Sequence, residues 1–387
     1  MERFDVAVVG AGPAGSSSAI SLARRGYSVI LLERALFPRE KLCGDFLNPA
    51  NWELFECLGV ADKLLSLEHE KVTAFRISTF LGDDATISFP SRNGKTISGF
   101  GLRRSSLDDL LLRQAEKEGV VVKQGRKVRA LIREAAGWCV MVGGESESEK
   151  VSSTFLIGAD GRNSWVAHRL GLARTSESPG HYVAFQLHLK GVRGLQGDVQ
   201  IHVFPGGYAG LVGLGGGTAN LCFTVERREI KQGISLEALF ENRLYKNSFL
   251  RQSLAGSEIA SKVRAASPLY FPPRRCNGEG YLLVGDAARV TEPVTGEGVY
   301  FALKSGILAA ATIDLAFKRG DRSSEQLASY SRLCQEAFSL RQRVNRIIRA
   351  LVYRPFLLAP VIRLSARTSL PLRPLVDQVC GAVRFPI

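Results

Sequence analysis

The first 33 residues of the chain constrain its fold more than any other segment. Phe4 to Val9 is a near-continuous apolar run, which predicts a strand buried on both faces. The glycine-rich segment Gly10 to Gly15 follows, then a helical pattern over Ser16 to Arg25 and a second apolar strand over Ser28 to Glu33. These segments form one βαβ unit, and such a unit predicts a parallel sheet covered by helices.

The glycine-rich turn has the spacing Gly10-x-Gly12-x-x-Gly15 of a dinucleotide site. Gly10 permits a tight turn, Gly12 lets the backbone approach a pyrophosphate, and Gly15 permits close packing of helix on strand. Glu33 lies 18 residues beyond Gly15, where its carboxylate would accept hydrogen bonds from ribose hydroxyls. The free N–H groups at the start of the helix favour phosphate. We therefore prefer a nucleotide cleft to a glycine turn that binds nothing, and assign to it Gly10, Gly12, Pro13, Ala14, Gly15, Glu33 and Arg34.

The charge balance is the unusual feature of the composition. The chain has 387 residues, with 51 Lys+Arg against 37 Asp+Glu and a formal net charge of +14. Such an excess favours anionic small molecules, anionic membrane or nucleic acid. Nucleic acid is not expected as a partner, because the sequence has no zinc-knuckle, RNA-binding or helix-turn-helix pattern. The length itself predicts two intertwined domains.

Cysteine usage and the start of the chain bear on location. The seven cysteines are dispersed without CxxC spacing, which is typical of reduced thiols in a cytoplasmic protein. The first residues lack the basic and apolar regions of a signal peptide. No run reaches about 18 uninterrupted apolar residues, so no membrane span is expected. We expect a cytoplasmic protein, with peripheral contact at the inner membrane face as an alternative raised by the C-terminal segment.

Apolar periodicity predicts the remaining elements. Helical patterns cover Asn51–Leu65, Leu107–Lys117, Leu236–Ala255 and Gly298–Leu315. From about residue 180 to 225 the chain is rich in glycine and alternates between apolar and polar residues. Its predicted strands are His181–Lys190, Val199–Phe204 and Leu211–Phe223, with a break at Gly206–Gly210. This β-rich part predicts the sheet of a substrate domain.

The segment from Leu340 to Ile387 has a character of its own. It contains nine arginines against one acid, Asp377, with Leu, Ile, Val and Phe between them. Four prolines predict that it is cut into short amphipathic helices: Pro355, Pro360, Pro371 and Pro374. Two interpretations stay open. The segment is either an interfacial helix on anionic lipid or a helical cap that closes the substrate domain with its basic residues in water.

Two further segments carry chemistry. The first is Leu156-Ile157-Gly158-Ala159-Asp160-Gly161-Arg162-Asn163-Ser164. The second is Leu282-Leu283-Val284-Gly285-Asp286-Ala287-Ala288, which continues to Pro293-Val294-Thr295-Gly296-Glu297-Gly298. With the N-terminal glycine motif, they make the chain resemble the FAD-dependent superfamily of aromatic hydroxylases, flavin halogenases and geranylgeranyl reductases. The resemblance covers roughly residues 4 to 315.

This resemblance implies FAD as the cofactor and assigns roles to the matching residues. Asp160–Gly161 would lie near the middle of FAD, and Gly285–Asp286 at its ribityl and pyrophosphate portion. Pro293 to Gly298 would open a helix toward the pyrimidine edge of the flavin, where the helix dipole stabilises negative charge. Arg104 matches the arginine that helps to hold the cofactor, with a surface helix cap as the alternative. The remaining implied contacts are Cys43, Gly44, Gly296, Glu297 and Gly298.

Pattern and resemblance together predict an α/β (α+β) fold. We expect a Rossmann-like FAD-binding domain, a β-sheet substrate domain and a C-terminal helical segment. The FAD-binding domain is assigned to residues 1–70, 101–175 and 276–320, and the β-rich substrate domain to 71–100 and 176–275. Basic amphipathic helices are assigned to 321–387.

The reaction depends on the branch of the superfamily. Pro38 to Gly44, with its Cys-Gly pair, and Gly206 to Gly213 resemble the geranylgeranyl reductase branch. That branch has Tyr-x-Trp-x-Phe-Pro, whereas this chain has Gly210, Val212 and Gly213 in place of Trp, Phe and Pro. Loss of these bulky groups predicts a wider cavity, suited to a fused-ring or bulky substrate. The halogenase signature Trp-x-Trp-x-Ile-Pro is absent, which argues against halogenation.

Three functions stay open. The first is NAD(P)H-dependent hydroxylation of a hydrophobic aromatic, polyketide- or quinone-like substrate through a flavin C4a-hydroperoxide. The second is reduction of prenyl double bonds by reduced FAD, and the third is a non-catalytic lipid-binding protein of the same fold. We favour the first, because the tryptophan-containing motif is missing. NAD(P)H is expected as a transient donor, since no second Gly-x-Gly-x-x-Gly occurs; a separate reductase or ferredoxin is the alternative.

The catalytic candidates are Cys43, Tyr208 and Tyr300. Cys43 would orient substrate or supply a proton near the flavin, and a buried phenol can donate a proton. A structural thiol and core aromatics are the competing interpretations. Lys41 is interpreted as a solvated loop charge, with binding of an anionic substrate or donor as the alternative. No metal is expected, and three histidines without ligand spacing are interpreted as packing residues: His181, His188 and His202.

Overall fold

Two large β-sheets organise the part of the chain that the structure describes. The structure is a computed structural model, and it describes residues 2–92, 95–143, 148–173, 181–230, 234–368 and 370–381. The strands, in chain order, are β1 Glu2–Val9, β2 Val29–Leu32, β3 Phe46–Leu47, β4 Glu70–Val72, β5 Ala74–Thr79, β6 Asp84–Ser88, β7 Ser91–Arg92, β8 Lys95–Thr96, β9 Gly99–Gly101, β10 Val121–Lys123, β11 Lys127–Glu134, β12 Gly137–Gly143, β13 Ser148–Gly158, β14 Tyr182–Lys190, β15 Asp198–Phe204, β16 Gly207–Gly215, β17 Thr218–Glu226, β18 Glu258–Ile259, β19 Arg264–Ala266, β20 Asn277–Gly278 and β21 Tyr281–Leu283.

Helices pack against both large sheets. In chain order they are α1 Pro13–Ala23, α2 Trp52–Leu58, α3 Ala61–Leu65, α4 Arg104–Lys117, α5 Trp165–Arg169, α6 Leu236–Asn242, α7 Ser248–Leu254, α8 Gly298–Arg319, α9 Ser324–Val352, α10 Pro355–Thr368 and α11 Arg373–Val379. The longest, α9, ends at Val352, and α10 begins shortly after it at Pro355.

The first sheet confirms the predicted Rossmann-like arrangement. Its parallel part has the order β10-β2-β1-β13-β21, and β12 and β11 extend it in antiparallel fashion beside the first half of β13. Val6, Ala7 and Val8 are completely buried, as expected of a strand covered on both faces. The carboxyl ends of β1, β2, β13 and β21 meet at one edge, which is where open α/β sheets bind ligands.

The second sheet stands beside that edge. Its order is β18-β14-β17-β16-β15-β5-β6, antiparallel except for the parallel pair β15 and β5. The small sheet β3-β9-β4 connects the two layers, since Gly101 on β9 packs against the backbone of Gly213 on β16. The β-rich region therefore supplies a wall that faces the ligand-binding edge of the first sheet.

Helix α8 is an interior element. It packs against α1 on one side and α9 on the other. By length and composition α8 could cross a membrane, but more than half of its apolar window is buried by the rest of the protein. Its apolar character is explained by this core position. All seven cysteines lie within the described residues, and none forms a disulfide.

Several predicted elements differ from the observed ones. The helix expected over Asn51–Leu65 is two helices, because Gly59 adopts a left-handed conformation with φ 69° and ends α2. The helix expected over Leu236–Ala255 is also interrupted, and the Asn247 side chain caps a new helix there by accepting from Leu250 N. The region Gly206–Gly210 is not a break, since β16 begins at Gly207.

The C-terminal prolines act less uniformly than predicted. Pro355 and Pro374 lie in the first turns of α10 and α11, where a missing N–H costs nothing. Pro360, however, lies inside α10 without ending it. The segment after Leu340 is therefore the end of one long helix followed by two shorter ones. Arg384, one of the nine arginines, lies outside the described residues.

Candidate functional site

The glycine turn after β1 has the geometry that its spacing predicts. Gly10 has φ 103°, and a Cβ on Gly15 would lie 1.8 Å from the carbonyl oxygen of Gly10. The α1 helix therefore approaches the turn more closely than any side chain at Gly15 allows. A Cβ on Gly12 would meet only Arg39 Nη2, at 3.7 Å, so Gly12 faces open space. The N-terminus of α1 begins at Pro13 beside that space.

Glu33 is held in place by backbone groups. Its Oε2 accepts from Ala11 N and its Oε1 from Ala35 N, both at 2.9 Å. The carboxylate is nearly buried, yet it lines a cleft together with Arg34, Asp160 and Trp165. A fixed carboxylate at this end of a glycine turn suits a ribose, whose hydroxyls donate hydrogen bonds.

Two cavities join into one long cleft. The first runs along Glu33 and the glycine turn, and the second extends to the β14–β17 wall and encloses about 1420 Å³, part of it open to solvent. Both are lined by Gly12, Lys41 and Ala159, so they meet beside the start of α1. A cleft of this form fits an elongated dinucleotide with its phosphates at the junction.

Cationic side chains surround that junction. Arg104 lies in the wall and forms a bidentate pair with Asp108, with Nε and Nη2 donating at 2.9 and 3.0 Å. Lys41 lines both cavities, so it is not the solvated loop charge that the sequence favoured. Burial by surrounding protein and the neighbouring Arg104 charge lower the pKa of Lys41. Arg162 lies 4.0 Å from Asp286 across the second cavity. An anionic pyrophosphate would relieve this concentration of positive charge.

The glycines around the second cavity leave room for a flat ring system. A Cβ on Gly44 or Gly298 would meet no atom within 4 Å. Gly298 begins α8, so N–H groups at that helix start point at the space. These openings and the cationic junction fit FAD. When bound, FAD would supply two-electron chemistry beside the β14–β17 wall.

The structure brings most of the predicted cofactor residues to this cleft. Those that line it are Gly10, Gly12, Pro13, Ala14, Glu33, Arg34, Cys43, Gly44, Arg104, Asp160, Gly161, Asp286, Pro293, Gly296 and Gly298. Gly15 and Gly285 support it from behind, since a Cβ on Gly285 would lie 2.8 Å from Ala14 Cβ. Asp160 also has a structural role, because its carboxylate accepts from Ser164 Oγ and Val166 N at the start of α5.

Glu297 and Tyr300 depart from the expectation. Glu297 is almost completely buried and accepts from Arg341 Nη1 at 2.7 Å, on the side of α9. The Arg341 guanidinium also lies 4.2 Å from the ring centre of Tyr300. Neither side chain is among those that line the cleft. Glu297 directly precedes α8, Tyr300 lies in its first turn, and both contact Arg341 of α9. They anchor the C-terminal helices to the cofactor-facing helix instead.

The outer part of the second cavity forms a chamber with apolar walls. Strand side chains and loop residues line it: Phe46, Phe75, Ala184, Val199, Ile201, Tyr208, Gly210, Leu211, Leu269 and Val290. Of the three positions that depart from the reductase motif, only Gly210 lies on the chamber wall. Val212 is buried in the adjoining apolar core, and Gly213 faces Glu70 on the other side of β16. The widening predicted from sequence therefore rests on Gly210.

Cys43 lies on the chamber wall in a loop that buried polar groups hold. Its N–H donates to Gln186 Oε1 and its carbonyl accepts from Asn220 Nδ2, both at 3.3 Å. Gln186 Nε2 in turn donates to Asp45 Oδ2 at 3.0 Å. Burial raises the pKa of the Cys43 thiol, so the group keeps its proton at neutral pH.

His188 belongs to the same network and is not a packing residue. Its Nε2 lies 2.9 Å from Asp45 Oδ2, and its Nδ1 lies 3.0 Å from Arg103 Nη1. Arginine can only donate, so Nδ1 accepts and Nε2 carries the proton that is donated to Asp45. No sequence pattern indicates this cluster, although Asp45 itself directly follows the Cys-Gly pair. Asp45 also has φ 51°, a left-handed conformation that few residues other than glycine adopt.

A second buried network adjoins the chamber. Tyr208 donates to Glu292 Oε1 at 3.0 Å, Tyr353 Oη lies 3.3 Å from the same oxygen, and Arg349 Nε lies 3.3 Å from Glu292 Oε2. Burial raises the pKa of Glu292, and burial together with the Glu292 charge raises that of Tyr208. This network ties the chamber wall to α9 and to the loop that follows it.

The sequence of the chain matches the model of a protein family. The model, described as FAD binding domain, covers residues 3–340. The chain belongs to this family of FAD-binding proteins. It is an FAD-dependent oxidoreductase of the superfamily that includes geranylgeranyl reductases, menaquinone reductase and halogenases.

Two curated relatives show how far the likeness extends. The digeranylgeranylglycerophospholipid reductase 2 of Methanopyrus kandleri is 29% identical over 348 residues, which is 87% of this chain and 83% of the relative. The menaquinone reductase of Mycolicibacterium smegmatis is 30% identical over 321 residues, 80% of this chain and 76% of that protein.

Solved structures agree on the fold. The flavin-dependent halogenase CmlS is 25% identical with a TM-score of 0.77; the match covers 88% of this chain and 63% of that halogenase. A geranylgeranyl bacteriochlorophyll reductase-like protein from Thermoplasma acidophilum has a TM-score of 0.81 at 22% identity, covering 98% of this chain and 96% of the other. The second likeness bears on the fold alone.

Proposed function

We propose that this FAD-dependent oxidoreductase is a monooxygenase that hydroxylates a hydrophobic substrate with an aromatic, polyketide-like or quinone-like ring. Bound and reduced FAD would supply two electrons, with O₂ as the acceptor in this reaction. The residues of the chain would orient the ring and keep bulk water away from it.

Gly210 is the observation that carries the proposal. It lies on the chamber wall, where the atom closest to an added Cβ would be the Cys222 carbonyl oxygen, at 3.7 Å. The position therefore has space that a tryptophan would fill. Apolar neighbours such as Phe75 and Val199 line the same space. A flat ring system fits against a strand at this point, whereas a narrow slot would suit a single prenyl chain.

NAD(P)H is the proposed electron donor. The formal net charge of +14 favours an anionic dinucleotide, and the sequence has no second glycine motif for a dedicated site. Both features support transient docking at the open side of the cleft.

Reduction of a carbon–carbon double bond is the second candidate. The names of the two curated relatives described above favour it. Such a reduction needs a proton for the carbon that does not receive the hydride, and the protonated Cys43 thiol on the chamber wall is suited to supply it. Tyr208 is less suited, because its hydroxyl proton is directed to Glu292.

The two candidates are separated by a reaction with and without O₂. The FAD-loaded protein is reduced by NADPH under anaerobic conditions and mixed with either a ring-bearing quinol or a geranylgeranyl lipid. Isotopically labelled O₂ is then admitted to one half of each sample. We expect the ring-bearing product to gain one labelled oxygen atom, and only in the half that received O₂.

Three other outcomes would favour a different function or a different electron donor. A geranylgeranyl product that gains two hydrogens without O₂ would replace the proposal by the second candidate. A purified protein that is colourless and fails to bind FAD would favour a lipid-binding protein of the same fold. A donor other than NAD(P)H is indicated if dithionite supports the reaction and neither nicotinamide does.

A further inference from the structure

The outer face of α10 is apolar and exposed. Phe356 is 73% exposed, Leu357 56% and Leu364 53%, and Leu370 just beyond the helix is 71% exposed. Large apolar side chains are seldom grouped this way on a surface that only water touches. The Phe80 ring lies edge-on to Phe356, and the exposed fractions show that the rest of the described chain leaves this face open.

The inner face of the same helix packs on the chamber wall. Leu358 and Ile362 are buried, and they belong to one apolar cluster with Phe75, Ile201 and Tyr208, which line the chamber. The helix rests on β5 and β6 at this point. One short helix therefore separates the chamber wall from the exposed apolar face.

The charges that flank the apolar face are positive. Arg354 and Arg367 are exposed and form no ion pair with any residue that the structure describes, whereas Arg363 pairs with Asp83. From Leu340 to the end of the chain Asp377 is the single acid, and it pairs with Arg373. Apolar side chains between free arginines match the surface of an anionic bilayer, where the rings and methyl groups enter the acyl boundary and the guanidinium groups meet phosphate.

We propose that α10 docks this protein on anionic phospholipid bilayers, with Phe356, Leu357 and Leu364 in the interface. A second copy fits less well, because a two-fold contact would bring Arg354 and Arg367 of both copies together. A span is excluded by length, since α10 has 14 residues and a membrane-spanning helix needs about 20. Docking places the chamber wall one helix away from the lipid, which gives a lipid-like substrate a short path; this last step rests on the proposed function.

Flotation of the FAD-loaded full chain with vesicles tests the docking. One vesicle is phosphatidylcholine alone, and the other contains phosphatidylglycerol as well. We expect binding to the anionic vesicles that weakens in salt, and little binding to the neutral ones. The double variant Phe356→Ser/Leu364→Ser should bind the anionic vesicles at least about tenfold more weakly, and Arg354→Gln/Arg367→Gln should lose the preference for phosphatidylglycerol.

The matched control is Leu36→Ser, because Leu36 is 72% exposed on the nucleotide side of the molecule. It should bind vesicles like the unmodified chain. Melting temperature and FAD content confirm that each variant is folded. The proposal is overturned if the unmodified chain binds neither vesicle, if the Phe356/Leu364 variant binds as well as the unmodified chain, or if that variant instead dissociates a dimer in sedimentation.

The substrate path has its own readout. With a short-chain, water-soluble substrate, the Phe356/Leu364 variant should turn over at the unmodified rate, and with a vesicle-borne substrate it should be slower. Vesicle binding without any hydroxylation would contradict the proposed function and leave the docking intact. If the Phe356/Leu364 variant hydroxylates the vesicle-borne substrate as fast as the unmodified chain, the substrate does not reach the chamber from the docked lipid.

Discussion

The Tyr208 hydroxyl donates a hydrogen bond of 3.0 Å to Glu292, and both side chains are almost completely buried at the chamber wall. Burial is the main cause that raises the pKa of each group. Burial therefore disfavours the charged form of each group, whereas Arg349 next to Glu292 favours the carboxylate. The Tyr208 hydrogen bond satisfies one oxygen of this buried carboxyl at the chamber wall.

Glu292→Gln is predicted to change how stability depends on pH. A carboxyl whose folded pKa lies above its ordinary 4.5 contributes stability at pH below 4.5, and this contribution is lost as the pH rises through the raised value. The variant cannot ionise, so its melting temperature relative to the unmodified chain should rise as the pH increases above 4.5. Exposed Glu134→Gln is the control and should show no such trend. Parallel melting curves for Glu292→Gln and the unmodified chain would contradict the prediction.

Two glycine substitutions should separate folding from cofactor binding. Gly12→Val places its side chain in open space, so the protein should fold but bind FAD at least about a hundredfold more weakly, because the side chain occupies the place of the pyrophosphate. Gly15→Val would drive a Cβ to within 1.8 Å of Gly10 O, so little soluble protein is expected. The measurements are melting temperature and the flavin-to-protein absorbance ratio. A yellow, FAD-saturated Gly12→Val protein would refute the assignment of the junction to phosphates.

The nucleotide end of the cleft could be predicted from the sequence because its determinants are local. Gly10 to Gly15 and Glu33 lie within one βαβ unit, and spacing alone fixes their geometry. Glu297 shows the limit of that reasoning. It lies within a matching motif just before α8, but its carboxylate pairs with Arg341 of α9 and does not line the cleft. The sequence indicates that a helix starts there, but it does not indicate which helix will pack against it.

The polar cluster behind Cys43 could not be predicted, because its members are distant in the chain. Asp45 and His188 are 143 residues apart and meet only when β14 is placed beside the loop after β2. The widening at Gly210 is predicted from the missing tryptophan of the reductase motif, and in the structure alternation along β16 places Tyr208 and Gly210 on one face. The same alternation puts Gly213 on the opposite face, a point that the motif comparison alone does not reveal.

Gly210→Trp should exclude a ring-bearing substrate from the chamber. An indole at this position extends into the cavity, since space is open there, so turnover should fall at least about tenfold while FAD content stays unchanged. Gly210→Ala is the matched control, because its Cβ would make ordinary contact at 3.7 Å with Cys222 O. Turnover and retained FAD are measured on the same samples. Equal turnover by the Gly210→Trp and Gly210→Ala variants would show that the substrate does not occupy this part of the chamber.

Cys43→Ala should discriminate between the two reactions. Hydroxylation requires no proton from the chamber wall to the substrate carbon, so the variant should retain most of its rate. Reduction of a double bond would lose the thiol that is proposed to donate the proton, and the rate should fall about a hundredfold or more. The rates of both reactions are measured over a range of pH, with Cys222→Ala as a control on the same wall. A hundredfold loss of hydroxylation would require a different role for the thiol.

Asp45→Ala should destabilise the protein more than the removal of a partly exposed carboxylate does. Its oxygens accept from Arg104 N, Gln186 Nε2 and, at 2.9 Å, from His188 Nε2, so in the alanine variant three buried N–H groups lose their acceptor. Gln186 Nε2 keeps its other hydrogen bond, to Asn220 Oδ1. Each N–H group that loses its acceptor costs about 1–3 kcal/mol, and we expect the free energy of unfolding to fall by at least about 3 kcal/mol. Asp84→Ala removes a partly exposed pair with Arg76 and should cost about 1 kcal/mol or less. Urea unfolding of the FAD-loaded proteins measures both, and equal losses would mean that the Asp45 cluster does not hold the Cys43 loop.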